Sequence, residues 1–329
     1  MKKILQYLFE HKTLPREMAR QVLLDISTGR FNEHEVTAFI TVYLMRSITI
    51  EELAGFREAL LQLCLRVDTG GVNAIDIVGT GGDGKNTFNI STLSCFVVAG
   101  AGVKVAKHGN YGASSVSGAS NLLEAVGYRF KTDAVAIRHE LEACNICFLH
   151  APLFHPALKA VAVIRRNLGI RSFFNLLGPL VNPANPSYQL IGVFNLETAR
   201  VYNYLLQTSS HNYTIVHSLD GYDEISLTED TRVITSGFER TMAPEQLGKR
   251  MVSPLDLQVA SLDEAVKIFG KILKGEGSWA QNAVVLANAA MAIYGSHGHS
   301  DYESAYDQAV DSLESGRALS CFQKLISLQ

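Results

Sequence analysis

Residues 74–84 read AIDIVGTGGDG, and the next eight residues read KNTFNIST. An apolar run that enters a glycine-rich turn and continues into a helix start is typical of a β-strand, a tight loop and a helix N-terminus. Backbone N–H groups converge in such a loop, and the helix dipole favours a negative charge there. The stretch therefore predicts an anion-binding loop in an α/β fold.

Two familiar nucleotide-binding motifs fit this loop only in part. Its glycines satisfy the dinucleotide pattern G-x-G-x-x-G, but that site needs an acid about 20 residues on, and no acid occurs from Gly84 until Glu124. The P-loop pattern fails because Asn86 replaces the Ser or Thr that binds magnesium. Asp83 would repel a bare phosphate, so it indicates a ligand that combines phosphate, ribose and Mg²⁺.

Further short apolar runs continue this pattern along the chain. They lie at residues 103–106, 146–149, 190–194 and 213–216. Helix-length segments separate them, which favours βαβ units and a mostly parallel sheet covered on both faces.

The segment before the first strand is helical throughout. Capping-box spacing occurs at Asn32–Glu35 and Thr49–Glu52, and each pair precedes an apolar-periodic run. We therefore expect an α/β fold class with two domains. A small all-helical domain covers residues 1–70, joined in space by part of 156–186, and a larger α/β domain with a mostly parallel central sheet covers 71–329.

Composition limits the classes of protein that this chain can represent. Hydrophobic residues make up 47% of its 329 residues and charged residues 19%, as in ordinary globular proteins. The net charge of −3 argues against a nucleic-acid binder, and no apolar run is long enough to span a membrane. Five cysteines indicate no disulfide framework, and Cys144 and Cys147 enter an apolar run, so we expect buried, inert thiols. We predict a cytoplasmic protein without a nucleic-acid or membrane partner.

A second polar loop follows the predicted strand at 103–106. Residues 107–118 read KHGNYGASSVSG, which combines a cation, an imidazole and several hydroxyl groups. Ligands of open α/β sheets bind at the carboxyl ends of the strands, where this loop would lie. Residues 84–123 contain three lysines and no acid, so their charge suits an anion.

Two adjacent carboxylates, Asp223 and Glu224, come after the predicted strand at 213–216. Such oxygen ligands can hold Mg²⁺, and a solvated acidic turn is the alternative. Arg165 and Arg166 could bind a carboxylate through paired hydrogen bonds, whereas surface arginines on a helix are the commoner case. From these residues alone, both alternatives stay open.

The order and spacing of these motifs resemble the anthranilate phosphoribosyltransferases, which join anthranilate to phosphoribosyl pyrophosphate in tryptophan biosynthesis. The likeness covers nearly the whole chain. It rests on GTGGD at 79–83, NIST at 89–92, KHGN at 107–110, RSFFNLLGPL at 171–180, DE at 223–224 and ANA at 287–289. The resemblance implies a glycosyltransferase with a helical domain hinged to an α/β domain, substrates meeting between them, and a homodimer formed through the helical domain.

The resemblance also implies roles for individual residues. Phosphoribosyl pyrophosphate would be held by Gly79, Gly82, Asp83, Thr87, Asn89, Ile90, Ser91, Thr92, Lys107, Ser114 and Ser115. Mg²⁺ would be held by Ser91, Asp223 and Glu224, and anthranilate would meet Gly79, Asn110 and Arg165. His108 would accept the amine proton as a general base, and no side chain would become covalently attached.

The second loop departs from the usual pattern of that family. Tyr111 stands where the family commonly has Arg, and Val116 where it commonly has Lys. Residues 117–121 read SGASN in place of the common SGSAD. Ala119, Ser120 and Asn121 therefore stand where the family commonly has Ser, Ala and Asp. Because two cations and one carboxylate are replaced, we expect weaker pyrophosphate binding rather than a different reaction.

Three alternatives stay open at this point. The first is a pyrimidine-nucleoside phosphorylase of related architecture, and the second is a noncatalytic nucleic-acid binder on the same fold. The third is a transferase that uses another small amine as its acceptor. The Arg165 segment argues against the first, and the net charge with the intact acidic pair argues against the second.

Overall fold

The computed structural model describes residues 1–112, 116–209, 211–297 and 301–329. The strands within these ranges are β1 Ala74–Gly79, β2 Lys104–Gly109, β3 Ile146–His150, β4 Tyr188–Gly192, β5 Asn212–Ser218, β6 Thr231–Thr235 and β7 Glu239–Met242. The helices are α1 Lys2–Phe9, α2 Arg16–Ser27, α3 Glu33–Met45, α4 Ile50–Leu63, α5 Ile90–Gly100, α6 Ala119–Ala125, α7 Ala134–Cys144, α8 Ala151–Phe154, α9 Pro156–Leu168, α10 Phe174–Leu177, α11 Leu196–Gln207, α12 Pro244–Gly248, α13 Leu262–Leu273, α14 Trp279–His297, α15 Tyr302–Glu314 and α16 Arg317–Ser327.

The chain divides into two compact units. The helical unit comprises Met1–Val67 and Ala151–Pro183, and the α/β unit comprises Asp68–His150 and Ala184–Gln329. All seven strands described belong to the α/β unit, whereas α1–α4 and α8–α10 belong to the helical unit. The expected fold class, an all-helical domain and a larger α/β domain with a mostly parallel sheet, is confirmed.

Capping and aromatic packing build the helical unit. Asn32 and Thr49 cap α3 and α4, and each side chain accepts the backbone N–H of the glutamate three residues on. The unit's aromatic cluster contains Phe39, Tyr43, Phe56 and Phe173. Phe56 stacks on Phe173 with ring centroids 4.6 Å apart, so the second chain segment of the unit shares a core with the first.

Glu52 lies at the centre of a buried polar network in the helical unit. Its carboxylate accepts the backbone N–H groups of Leu14 at 2.9 Å and Thr49 at 3.0 Å. The guanidinium of Arg46 forms an ion pair with it, and the Tyr43 hydroxyl donates to it at 3.2 Å. Burial by itself would raise the pKa of Glu52, but these donors hold it below its ordinary value.

The sheet of the α/β unit has the strand order β3-β2-β1-β4-β5-β6-β7. The first five strands of the sequence pair in parallel, and β6 and β7 are antiparallel additions at one edge. The chain steps from β1 to β2 on one side and returns to β4 on the other, so β1 lies at a topological switch point. In open α/β sheets, ligands bind at the carboxyl ends of the strands beside such a point.

Helix α5 is the central packing element of the α/β unit. Ten of its eleven residues are buried, because strands and other helices surround it. The Phe96 ring meets Phe148 of β3, Phe269 of α13 and Phe322 of α16 at centroid distances of 5.5–5.6 Å. This packing holds the N-terminus of α5 in a fixed place beside the end of β1.

Several details differ from the sequence predictions. The five predicted strands are present, but β4 begins and ends two residues earlier than the predicted run at 190–194. The edge strands β6 and β7 were not predicted. Cys144 and Cys147 are buried free thiols as expected, and burial raises the pKa of Cys144 to about 11. None of the helices in the described ranges combines the length and apolarity needed to cross a membrane.

Candidate active site

The acidic pair lies where the end of β1 meets the segment after β5. Asp223 is buried, and its Oδ2 accepts the backbone N–H of Gly81 at 2.6 Å. Glu224 is half-buried, and its Oε1 accepts the backbone N–H of Ser91 at 2.9 Å. Backbone hydrogen bonds therefore fix one carboxylate on the glycine-rich loop and the other on the first turn of α5.

Two glycines make room for Asp223. A Cβ atom on Gly79 would lie 2.3 Å from Oδ2 of Asp223, and one on Gly192 would lie 1.6 Å from its backbone oxygen. Both distances are far below van der Waals contact, so any side chain at either position would displace the carboxylate. Sequence reasoning missed Gly192. Its signal is a glycine within an apolar strand run, a pattern that marks the close approach of another backbone.

The acidic pair carries more negative charge than its surroundings neutralise. Burial and the nearby charge of Asp83 raise the pKa of Asp223 to about 7. Burial and the charges of Asp223 and Asp83 raise the pKa of Glu224 well above its ordinary value, while Lys107 lowers it. No Lys or Arg within the described ranges forms an ion pair with either carboxylate. The pair is thus suited to an external cation.

The donor set fits Mg²⁺ as the sequence suggested. The ion prefers oxygen ligands and usually takes one or two carboxylates together with water and substrate phosphates. Across residues 1–112, 116–209, 211–297 and 301–329, no cluster of three or more His, Cys, Asp or Glu side chains forms a complete metal site. Asp223 and Glu224 offer two carboxylates of the type that Mg²⁺ binds. Ser91 lies in the first turn of α5, and its backbone N–H donates to Glu224. Its hydroxyl is 3.3 Å from the Lys107 ammonium.

Lys107 and His108 come from the end of β2. Lys107 is buried, and its ammonium donates to the backbone oxygen of Ile77 and to the Ser91 hydroxyl. His108 is also buried, and its backbone N–H donates to Oδ1 of the buried Asp76 at 3.1 Å. The end of β2 thus places the Lys107 ammonium close enough to Glu224 to lower the pKa of that carboxyl, and His108 follows Lys107 in sequence.

The glycine-rich loop adopts conformations that favour glycine. Gly81, Gly82 and Gly84 have positive φ angles of 66°, 76° and 75°. The Asp83 carboxylate accepts the N–H of Lys85 at 3.1 Å, and Thr87 forms an isolated bridge with Gln258. The loop is therefore held at several points between β1 and α5.

The first residues of α5 present polar groups around the same place. Asn89 exchanges hydrogen bonds with Ser117 of the second loop, at 3.1 Å to its backbone oxygen and 2.9 Å from its hydroxyl. Ile90 is buried in the core. The Thr92 hydroxyl is fully buried without a hydrogen-bond partner in the part of the chain that the structure describes. An orphaned buried hydroxyl at a helix N-terminus is a group that an anionic ligand could satisfy.

The residues expected to meet anthranilate come from both units. Gly79 and Asn110 follow β1 and β2 in the α/β unit, and Oδ1 of Asn110 accepts the N–H of Tyr111 at 2.8 Å. Arg165 belongs to α9 of the helical unit, where its guanidinium lies 5.4 Å from the ring centroid of Phe174. Burial lowers the pKa of Arg165. Ser114 and Ser115 lie outside the described residues.

Two family models together match most of the chain. The "Glycosyl transferase family, helical bundle domain" model matches residues 2–64, and the "Glycosyl transferase family, a/b domain" model matches residues 71–319. The division between them falls within the segment that separates the helical and α/β parts.

Individual relatives agree with these models. The chain is 53% identical over 329 residues to an anthranilate phosphoribosyltransferase of Christiangramia forsetii, covering 100% of this chain and 99% of the relative. Its fold is similar to the crystal structure of the Thermus thermophilus anthranilate phosphoribosyltransferase, with a TM-score of 0.91, 30% identity and 98% coverage of both chains. It is also similar to the Saccharomyces cerevisiae enzyme in complex with PRPP and Mg, with a TM-score of 0.89, 28% identity and coverage of 96% and 93%. The chain belongs to the anthranilate phosphoribosyltransferase family.

Proposed function

We propose that this chain transfers the phosphoribosyl group of phosphoribosyl pyrophosphate (PRPP) to the amine of anthranilate. The products are N-(5-phosphoribosyl)anthranilate and pyrophosphate, and the reaction is a step of tryptophan biosynthesis. The observation that carries the proposal is the Asp223–Glu224 pair. Its carboxylates are fixed by backbone N–H groups of Gly81 and Ser91 at the switch point of the sheet, and their charge calls for a divalent cation.

The proposed reaction is a substitution at the anomeric carbon of the ribose. The anthranilate nitrogen forms a bond to this carbon as the bond from the carbon to the pyrophosphate oxygen breaks, and the oxygen keeps the electron pair. The nitrogen then loses one proton. The chain contributes chiefly by holding the two reactants in line, which by itself accounts for a large part of the acceleration in such reactions.

The glycine-rich loop and the start of α5 hold PRPP in this proposal. Gly79, Gly82, Asp83, Thr87, Asn89, Ile90, Ser91 and Thr92 line its binding site, completed by Lys107, Ser114 and Ser115 from the second loop. The Thr92 hydroxyl, which is buried without a described partner, donates to a phosphate oxygen. Asp83 binds ribose hydroxyls rather than phosphate, because a carboxylate repels an anion.

Ser91, Asp223 and Glu224 would hold Mg²⁺ in this proposal. When bound, the ion supplies positive charge that stabilises the leaving pyrophosphate. Lys107 adds a second positive charge beside Ser91, in the first turn of α5. The carboxylates keep their places through their backbone hydrogen bonds, so the site needs little reorganisation when substrate binds.

Gly79, Asn110 and Arg165 bind the acceptor in this proposal. Gly79 and Asn110 contact the ring and amine of anthranilate, and Arg165 binds its carboxylate. His108 receives the amine proton as a general base, provided that its imidazole lies within about 3 Å of the nitrogen in the complex. We further propose that the protein acts in the cytoplasm as a homodimer formed through the helical unit.

Anthranilate fluorescence provides the test. Purified protein is mixed with anthranilate, PRPP and Mg²⁺, and the loss of fluorescence is compared with pyrophosphate release and with a control that lacks Mg²⁺. The proposal predicts Mg²⁺-dependent loss with one pyrophosphate released per anthranilate consumed. Binding of PRPP without turnover would show that another amine is the acceptor. Absence of both binding and turnover would contradict the proposed function.

A further inference from the structure

The second loop is fastened to its surroundings at several points. The N–H groups of Gly112 and Gly118 both donate to Oδ1 of Asn121, at 2.9 and 3.1 Å. The N–H of Ser120 donates to the backbone oxygen of Asn110 at 3.2 Å. The side chain of Asn121 therefore ties together two points of the backbone that lie six residues apart in sequence.

The backbone at these two points is in close contact. A Cβ atom on Gly118 would lie 2.1 Å from the backbone nitrogen of Gly112, so no other residue fits there without moving the backbone. The two bonds to Asn121 hold this crossing in place. Gly112 and Gly118 are thus held next to each other.

Tyr111 forms a second attachment. Its hydroxyl donates to Oε1 of Glu124 on α6 at 2.9 Å. The edge of its ring meets the imidazole of His150 at the end of β3, with centroids 4.7 Å apart and an interplanar angle of 71°. Although Tyr111 is 44% exposed, contacts to α6 and β3 define the position of its ring.

His150 is itself held from two further sides. Its Nδ1 lies 2.8 Å from the Ser120 hydroxyl, and its ring stacks on Phe130 with centroids 4.7 Å apart. The imidazole is 6% exposed, and burial lowers its pKa. His150 therefore provides a buried surface against which the Tyr111 ring packs.

Three of the residues that form these contacts lie where the sequence departs from the common family pattern. Tyr111 binds Glu124, Ser120 binds His150, and Asn121 binds the two glycine N–H groups. We name the set of Tyr111, Ser120, Asn121, Glu124 and His150 the loop brace. The loop that it holds carries Lys107 at its start and Ser117, which exchanges hydrogen bonds with Asn89, near its end.

We propose that the loop brace fixes residues 107–112 and 116–118 of the second loop for PRPP binding, and that Tyr111 acts through it as a positioning residue. The inference rests on the proposed function, because PRPP is the ligand that the loop would meet. Residues that are already held in place lose less conformational entropy when the ligand binds. The brace thereby makes up for part of the attraction that is lost because residues 111 and 116 are not Arg and Lys.

Calorimetric titration with PRPP in saturating Mg²⁺ tests the inference, because it needs no acceptor and no turnover. Tyr111→Phe removes only the hydroxyl that binds Glu124, and Ser120→Ala removes only the hydroxyl that meets His150. Each variant is expected to weaken PRPP binding about two- to tenfold, the range of one net hydrogen bond. Tyr204→Phe, an exposed tyrosine on α11 of the same unit, serves as the matched control and is expected to bind as the wild type does.

Steady-state kinetics and thermal unfolding separate positioning from a purely structural role. The inference predicts a higher KM for PRPP with kcat within about twofold of the wild-type value, because the brace affects binding and not the reacting atoms. Melting temperatures are expected to stay close to that of the wild type. Unchanged PRPP affinity in both variants, or a loss of kcat without a change in KM, would overturn it. If the wild-type protein itself bound no PRPP, the proposed function would fail and the inference with it.

Discussion

Glu52 in the helical unit and the Asp223–Glu224 pair in the α/β unit are carboxylates withdrawn from water, but their surroundings shift their pKa values in opposite directions. Glu52 meets Arg46, a tyrosine hydroxyl and two backbone N–H groups, so its pKa lies below the ordinary value. Asp223 is buried and faces the carboxylate of Asp83, and these two effects outweigh the backbone N–H of Gly81, so its pKa is raised.

The difference indicates what each site is for. The helical unit neutralises its buried charge with its own residues, as a structural network must, because an unpaired buried charge costs several kcal/mol. The α/β unit leaves its charge uncompensated at a place where strands end and a helix begins. Removing a carboxylate should therefore have opposite consequences in the two units.

The largest expected effect comes from the acidic pair itself. Asp223→Asn and Glu224→Gln keep the shape of each side chain and remove its charge. We expect each to lower Mg²⁺-dependent kcat/KM at least about a hundredfold, which corresponds to about 2.7 kcal/mol of transition-state stabilisation. Without Mg²⁺ the melting temperature should stay the same or rise, because the variant loses a repulsive buried charge. If kcat/KM of either variant depended on the Mg²⁺ concentration as that of the wild type does, the metal role would be disproved.

The next effect concerns the space beside Asp223. Gly192→Ala places a methyl group at 1.6 Å from the Asp223 backbone oxygen, so the chain at residue 223 must shift. A displacement of this kind should lower kcat/KM about tenfold to a hundredfold. Gly237→Ala is the matched control, because its Cβ would meet nothing within 4 Å. Equal activity of the two variants would show that the placement of Asp223 is unimportant.

A stability change of intermediate size is expected in the helical unit. Glu52→Gln removes the charge that neutralises Arg46 and keeps an acceptor for the capping box. We expect a loss of about 2 kcal/mol in the free energy of unfolding, below the full cost of breaking a buried pair because Arg46 is partly exposed. Urea titration measures it. The folded variant should keep its kcat, and a selective loss of kcat would place Glu52 in the catalytic machinery instead.

The smallest expected effect is a dependence of stability on pH from His155 in the helical unit. Burial lowers the pKa of His155 to about 4, although a hydrogen bond with the Val181 backbone acts in the opposite direction. Between pH 4 and pH 6.5 the unfolded chain therefore binds more protons than the folded chain. The free energy of unfolding is highest above pH 6.5 and falls as the pH is lowered towards 4.

Between pH 7.5 and pH 5.5 we expect a loss of about 1.3 kcal/mol in the free energy of unfolding from this group. The loss should be absent in His155→Asn and present in His34→Asn, which replaces an exposed histidine of α3. Denaturant titrations at both pH values give the comparison. Equal pH dependence in the two variants would mean that His155 does not contribute.

Local patterns predicted much of the fold and the site. The run at 74–84 gives β1 and the glycine-rich loop, and Asn32 and Thr49 cap their helices at the predicted positions. Such features depend on neighbours in sequence. The acidic pair at 223–224 was also found from sequence, because two adjacent carboxylates after a strand are a local signal.

Features that depend on contacts between distant residues were missed. The role of Gly192 exists only because the β4 register brings it to Asp223. Glu52 was identified as a helix cap, but its network needs Leu14 and Arg46 to approach in three dimensions. The edge strands β6 and β7 are short and partly exposed, so they lack the apolar run that revealed the central strands.

The central claim is that no Lys or Arg within the described residues pairs with Asp223 or Glu224, so burial favours their protonated forms until a magnesium complex binds. The most direct test is calorimetric titration of the wild-type protein with the preformed Mg²⁺–PRPP complex, in buffers that differ in ionisation enthalpy. Because burial and the charge of Asp83 raise the pKa of Asp223 to about 7, binding at pH 7 should release protons, and the share released by Asp223 should decline as the pH rises above 7. Binding that proceeds equally well without Mg²⁺, or that releases no protons at pH 7, would contradict the account.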